Sequence, residues 1–218
     1  MLYIGEQLGN QIGNPNVARV DIAVDPLECT NNCADNLPNS IAVLAAAPRG
    51  TLLHAPDCYM DKIAAGPEME GHISLDASVA YNIEQVASVL DKPISEVRVI
   101  ALDRPRHKDL FGEIKELGAK LHLLSDGDIS AALWAARPEA DHDILMGIGA
   151  APEGVITATA IRGIGGVFEG RLVFRSDAEK VRAEGMIDDD LSRLWDATDL
   201  CKSCLLYTSP SPRDLRRS

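Results

Sequence analysis

The run Val20-Asp21-Ile22-Ala23-Val24-Asp25-Pro26-Leu27-Glu28-Cys29-Thr30 carries the residues best suited to chemistry. A strand-like alternation ends in a carboxylate and a proline turns the chain. A second carboxylate stands three residues on, closely followed by a hydroxyl. Asp25 and Glu28 at that spacing can face one pocket and share hard divalent cations through oxygen, with Thr30 beside them to hold a bound water. The same residues also fit a plainer reading, an Asx-type turn in which Asp25 accepts nearby backbone N–H groups. Three other clusters combine charge with glycine or proline: Asp103-Arg104-Pro105-Arg106-His107, Ser125-Asp126-Gly127-Asp128, and Gly149-Ala150-Ala151-Pro152-Glu153-Gly154.

The elements that must position these clusters read as alternating strands and helices. Residues 18–25 form a strand expected to stop at Pro26, because proline ends ladder pairing. Residues 40–47 and 51–54 flank Pro48-Arg49-Gly50 and read as a hairpin of two buried strands. Ile83, Val86, Ala87 and Leu90 recur at helical spacing, closed by Pro93. Strands over 97–102, 120–124 and 144–148 alternate with helices over 108–117, 129–136 and 154–161, the second of these stopped by Pro138. Such repetition gives an α/β fold, a sheet flanked by helices, with ligand groups in the loops leaving the strand carboxyl ends. Each of the three charged clusters follows one of those strands. Asp128 is also placed to cap the helix that follows it.

Composition narrows the function class. The 218 residues carry a formal charge of −12 and 4% aromatics, which argues against nucleic-acid or anionic-membrane binding, since both need a basic surface. An acidic chain can still hold an anionic ligand through divalent cations. No apolar run approaches the ~20 residues of a membrane span, the N-terminus lacks signal-peptide character, and five irregularly spaced cysteines suit reduced thiols. A cytoplasmic location is expected.

Asp25-Pro26-Leu27-Glu28-Cys29-Thr30 resembles the Asp-Pro-(Ile/Leu)-(Asp/Glu)-Gly-Thr signature of the lithium-sensitive, metal-dependent phosphatases. Ala55-Pro56-Asp57-Cys58-Tyr59-Met60-Asp61-Lys62, the Asp103–His107 cluster, Asp126-Gly127-Asp128 and Ala151-Pro152-Glu153-Gly154 follow in the order of the class II fructose-1,6-bisphosphatases of bacteria. Some members of that family also act on sedoheptulose-1,7-bisphosphate. The resemblance implies a layered α/β/α sugar-phosphatase fold and hydrolysis of the 1-phosphate in gluconeogenesis or the Calvin cycle. It implies Mg²⁺ or Mn²⁺ held by Asp25, Glu28 and Glu153, with Thr30 orienting the nucleophile. Residues 28–30 then contact the scissile phosphate, Tyr59 and Ala150 the substrate, Arg104, Pro105 and Arg106 the sugar bisphosphate, and Asp126, Gly127 and Asp128 the sugar. Arginine forks suit bidentate phosphate binding, and aspartates suit sugar hydroxyls. The partner is then a small sugar bisphosphate, with a homo-oligomer expected for the full-length form. His107 is expected to be structural or peripheral rather than an acid–base catalyst.

Departures from the family pattern are expected to matter. Cys29 stands where the signature has glycine, which permits positive φ and close approach to phosphate, and Ala150 stands at another usual glycine. Met1 resembles an internal segment of the family and the likeness stops near Ser203, so truncation at both ends is expected. Residues 1–80 are read as the C-terminal part of a first metal- and phosphate-binding sheet region, and 81–203 as a second, incomplete α/β region. Residues 204–218 resemble a translated sequencing-library adapter, a non-native and disordered tail. On that reading the isolated chain is a weakly folded, inactive fragment. Two competing readings are a catalytically dead phosphosugar-binding fragment and an inositol-monophosphatase-like enzyme.

Overall fold

The computed structural model describes residues 5–137 and 141–203. The expectations for Pro138 and for the tail 204–218 fall outside the described residues.

The sheet-and-helix expectation is met by a six-stranded mixed sheet in the order β5-β4-β6-β3-β7-β8. Its members are β3 (Tyr59–Ala65), β4 (Arg98–Leu102), β5 (Lys120–Leu124), β6 (Ile144–Ala150), β7 (Val167–Val173) and β8 (Trp195–Asp196). β4 runs parallel to β5 and β6, whereas β3 is antiparallel to both β6 and β7. Alternate residues of the central strands feed two separate cores. Met60, Ala64, Ile100 and Leu145 pack with α4 (Asp128–Ala136) and α5 (Ala151–Ile164). Ile63, Ala65, Val99 and Met146 pack instead with α2 (Val79–Val89) and α3 (Lys108–Glu116). Period-two alternation in the strands therefore produces the three-layer arrangement.

Boundaries follow local chemistry. Ser78 caps α2 by accepting from Tyr81 N at 3.1 Å, and the helix buries Ile83, Val86 and Ala87 as the spacing requires. The helix expected over 154–161 is longer at both ends: Pro152 sits in its first turn, where a missing N–H costs nothing, and the helix runs through Gly163 to a left-handed C-cap at Gly165. β1 (Val20–Glu28) does not stop at Pro26. It crosses the proline through a bulge, with Asp25 opposite Val43 and Glu28 opposite Ile41.

The expected hairpin of residues 40–47 with 51–54 does not form. β2 (Ile41–Pro48) pairs antiparallel with β1, and Leu52 makes only an isolated bridge to Cys201. The turn is fastened to β1 instead. Gly50 N donates to Asp21 Oδ2 at 2.5 Å, and Arg49 pairs with Asp21 at 3.2 Å. The β1–β2 pair packs one face on the helical layer through Ala45, Ile129 and Ile156, while Val20, Ile22, Val24 and Leu44 are exposed. Strands β3, β7 and β8, and the helices α1 (Thr30–Ala34), α6 (Asp177–Glu184) and α7 (Ala197–Leu200), were not legible as separate elements.

Candidate functional site

The parallel strands β4, β5 and β6 all end at the same edge, so the three charged clusters converge there as expected. Tyr59, the first residue of β3, lies opposite Ala150, the last residue of β6, and therefore joins that edge from the antiparallel direction.

Buried carboxylates form the heart of the site. The bulge after Asp25 turns Glu28 inward until it is almost wholly buried. Its Oε1 accepts from Ile129 N at 2.9 Å, so a side chain from a distant strand satisfies an orphan donor of α4. Asp128 does not cap this helix as its position suggested. Gly127 is the N-cap residue and makes no side-chain cap bond, while Asp128 is drawn into a buried ion pair with Lys62. Lys62 Nζ also donates to Ala150 O at 2.8 Å. Gly149 lets these groups meet, since a Cβ there would lie 1.9 Å from Asp128 Oδ2 and 2.9 Å from Lys62 Nζ.

Two oxygens of this cluster, Glu28 Oε2 and Asp128 Oδ1, are buried with no hydrogen-bond partner. Burial, with the neighbouring charges of Asp128 and Asp25, pushes the Glu28 carboxyl up to about 7. Glu153, in the first turn of α5, is pushed up as well, by burial first and then by Asp128. Orphaned oxygens in a crowded acidic cluster are what a hard divalent cation would satisfy. Asp25 itself makes the turn that the plainer reading foresaw, its Oδ1 accepting from Leu27 N at 3.0 Å. Thr30 is exposed at the start of α1. Among the described residues, no group of three or more His, Cys, Asp or Glu side chains is arranged to hold a metal ion.

The cationic side of the edge is built from the loop after β4. Arg104 donates to Ser125 O at 2.5 Å and to Asp126 Oδ1 at 3.3 Å, tying the first cluster to the second. Arg106 donates through Nε and Nη2 to Ile148 O, at 3.0 and 2.6 Å, and its guanidinium lies 4.6 Å from the Tyr59 ring centroid. Pro105 opens the short 3-10 turn between them. His107 is buried and structural, as expected. Ile148 N donates to its Nε2 at 2.8 Å, leaving Nδ1 to donate to Leu102 O at 2.8 Å.

A family model described as bacterial fructose-1,6-bisphosphatase, glpX-encoded, matches residues 1–209. The chain belongs to that family. Curated relatives agree. A protein of Synechococcus elongatus named D-fructose 1,6-bisphosphatase class 2/sedoheptulose 1,7-bisphosphatase is 41% identical, over 92% of this chain and 64% of its own length. Proteins of the same name from Microcystis aeruginosa and Synechococcus sp. strain CC9605 are 45% and 48% identical, over 83% and 80% of this chain and 54% and 51% of theirs. The chain thus spans between half and two thirds of the length of these relatives.

Within this glpX-encoded family the signature glycine position has a visible physical demand. Cys29 sits at φ 64°, ψ 50°, the left-handed region that costs a side chain roughly 1–2 kcal/mol. Its Sγ lies 2.5 Å from where a Cβ on Gly127 would stand, and Gly127 is itself at φ 96°. Burial and the surrounding carboxylates push the Cys29 thiol up to about 11, so it stays protonated. Cys29→Gly should therefore relieve backbone strain, offset in part by the greater unfolded-state entropy of glycine. A net gain of up to about 1 kcal/mol is expected in urea unfolding. A loss of stability would show that thiol packing outweighs the strain.

The sequence-derived residues thus fall into two groups at one edge. Glu28, Asp128 and Glu153 gather within range of one another's charge, and Arg104, Pro105, Arg106, Tyr59 and Asp126 gather beside them. Cys29 and Gly127 join them back to back. Sequence reasoning missed the role of Lys62. Its signal was present, a lysine inside the otherwise apolar end of β3, but a charged residue in a strand ordinarily reads as solvent-facing.

Proposed function

We propose that this chain supplies the metal- and phosphate-facing residues of an enzyme that hydrolyses the 1-phosphate of fructose-1,6-bisphosphate, and of sedoheptulose-1,7-bisphosphate. Family membership and the relatives' names support this reading. The observation that carries it is the meeting, at one sheet edge, of partnerless buried carboxylate oxygens with a guanidinium pair and a tyrosine.

Glu28, Glu153 and, from the turn beside them, Asp25 would hold Mg²⁺ or Mn²⁺, which when bound neutralises phosphate oxygens and eases departure of the alkoxide. Arg106 and Arg104 fork onto phosphate oxygens, Tyr59 supports the sugar phosphate, and Asp126 accepts from sugar hydroxyls. Lys62 fixes Asp128 and the Ala150 carbonyl, so the loop that brings in Glu153 is held against the sheet. No helix among the described residues is long and apolar enough to cross a membrane. We place the reaction in the cytoplasm and the full-length protein in a homo-oligomer.

The contact of Arg104 with Asp126, which needs no metal, supports as a second reading a chain that binds sugar phosphates through Arg104, Arg106 and Asp126 without hydrolysing them. Phosphate release from fructose-1,6-bisphosphate by the 218-residue chain, with Mg²⁺ or Mn²⁺, separates the two when calorimetric binding is measured alongside. Turnover supports the enzyme, binding without turnover the second reading, and neither outcome occurring sinks both.

The acidic cluster also sets a pH dependence. A carboxyl whose pKa is raised in the folded state favours folding fully below its unfolded value, and that contribution is lost as pH rises through the folded value. Metal-free protein is therefore expected to lose thermal stability between about pH 4.5 and 7 as Glu28 ionises. Mg²⁺ or Mn²⁺ should flatten the decline, and a midpoint that climbs over that range without metal would contradict it.

A further inference from the structure

The geometry points to Arg175 as a second anchor for the non-reacting phosphate, acting with Arg106 across the Tyr59 ring. This rests on the sugar-bisphosphate reading above and extends it to a residue outside every motif of the sequence. Register brings Arg175 to the site. Tyr59 lies opposite Val173, the last residue of β7, so the chain leaving β7 delivers Arg175 to the edge that already holds Arg106.

Both guanidinium carbons lie 4.6 Å from the Tyr59 centroid, so they can be no more than about 9 Å apart. Two guanidinium groups on one ring, only one of them paired to a carboxylate, make a locally cationic spot that suits an anion. A phosphate accepts from both, because its oxygens take charge-assisted bonds at about 2.8 Å from planar forks. Arg175 is held ready for that task. Its Nε donates to Glu179 Oε1 at 2.7 Å, its Nη2 reaches the same carboxylate, and its backbone N–H donates to Glu179 Oε2 at 2.8 Å. Glu179 is buried while the Arg175 side chain is 51% exposed, so the carboxylate holds the Nε–Nη2 edge and orients the guanidinium, whose Nη1 side is left for a ligand. Arg106 feels the charges of Asp128 and Glu153, and the Tyr59 ring that it shares with Arg175 lies opposite Ala150, whose carbonyl accepts from the Lys62 that pairs with Asp128. A sugar carrying two phosphates can then set one at the carboxylates and the other between the arginines.

The test measures calorimetric binding of fructose 6-phosphate, without divalent metal, and of fructose-1,6-bisphosphate with Mg²⁺. Arg175→Met should weaken fructose 6-phosphate binding about tenfold, and Arg175→Lys should restore part of it. Glu179→Gln should weaken it less, by freeing the fork without removing it. Arg175→Lys keeps a cation beside the buried Glu179 and should melt like the parent, whereas Arg175→Met leaves that carboxylate unpaired and should melt lower, so all binding is measured well below the lowest midpoint. Parental binding with Arg175→Met within twofold of it overturns this anchor alone. Failure of the parent chain to bind either sugar phosphate overturns the anchor together with the function it rests on.

Discussion

Lys62→Met is expected to destabilise the fold by about 3–5 kcal/mol. Lys62 is 1% exposed and its partner Asp128 is 5% exposed. Removing the ammonium leaves Asp128 buried beside Glu28 and Glu153, with Oδ1 already lacking a partner. Loss also strips a donor from the Ala150 carbonyl. The penalty arises from an uncompensated charge rather than from the net worth of the pair, which desolvation largely offsets. Replacing both partners should therefore recover much of the loss. Urea unfolding of Lys62→Met, Asp128→Leu and the double variant closes the cycle, with a coupling energy of more than about 2 kcal/mol expected. Additive single effects would show that the two groups do not depend on one another.

That same pair explains which parts of the molecule were legible in the sequence. Strands β4, β5 and β6 are short apolar runs bounded by helices, and the clusters after them follow a topology that parallel pairing enforces. β3 hid because Asp61 and Lys62 break its apolar run. The lysine is tolerated in the core only because Asp128, 66 residues away, neutralises it, and no local pattern contains that fact. The 51–54 segment misled for the converse reason. Its apolar residues pack against the core near Leu200, with Leu53 N donating to Leu200 O at 2.8 Å, rather than pairing across the turn. Asp25 and Glu28 stood out by residue type and spacing and Glu153 through motif likeness, whereas the inward turn of Glu28 depends on a bulge at Pro26 that spacing alone does not specify. Arg175 carried no local signal at all, because register across β3 and β7 brings it to Tyr59.

Glu28→Gln should lower phosphate release at least about a hundredfold, provided the parent turns over, while making the metal-free protein more stable at pH 8. The two effects share one cause. Glutamine keeps an oxygen for Ile129 N, so the start of α4 stays capped. It removes the negative charge that a divalent cation needs, and with it the cost of ionising a buried carboxyl whose pKa sits at about 7. At pH 8 the parent bears that cost and the variant does not, a difference on the order of 3 kcal/mol. At pH 4.5 the parent carboxyl is protonated in the fold, and the two proteins should converge. Glu28→Ala separates capping from charge, since it gains the same relief but loses roughly 1 kcal/mol by leaving Ile129 N unsatisfied. A functional site stabilised by deleting its own charged group holds strain for ligand binding rather than for folding. Equal stability of parent and Glu28→Gln at pH 8, with Mn²⁺ affinity unchanged in calorimetry, would place Glu28 outside the metal site and make it only a helix cap.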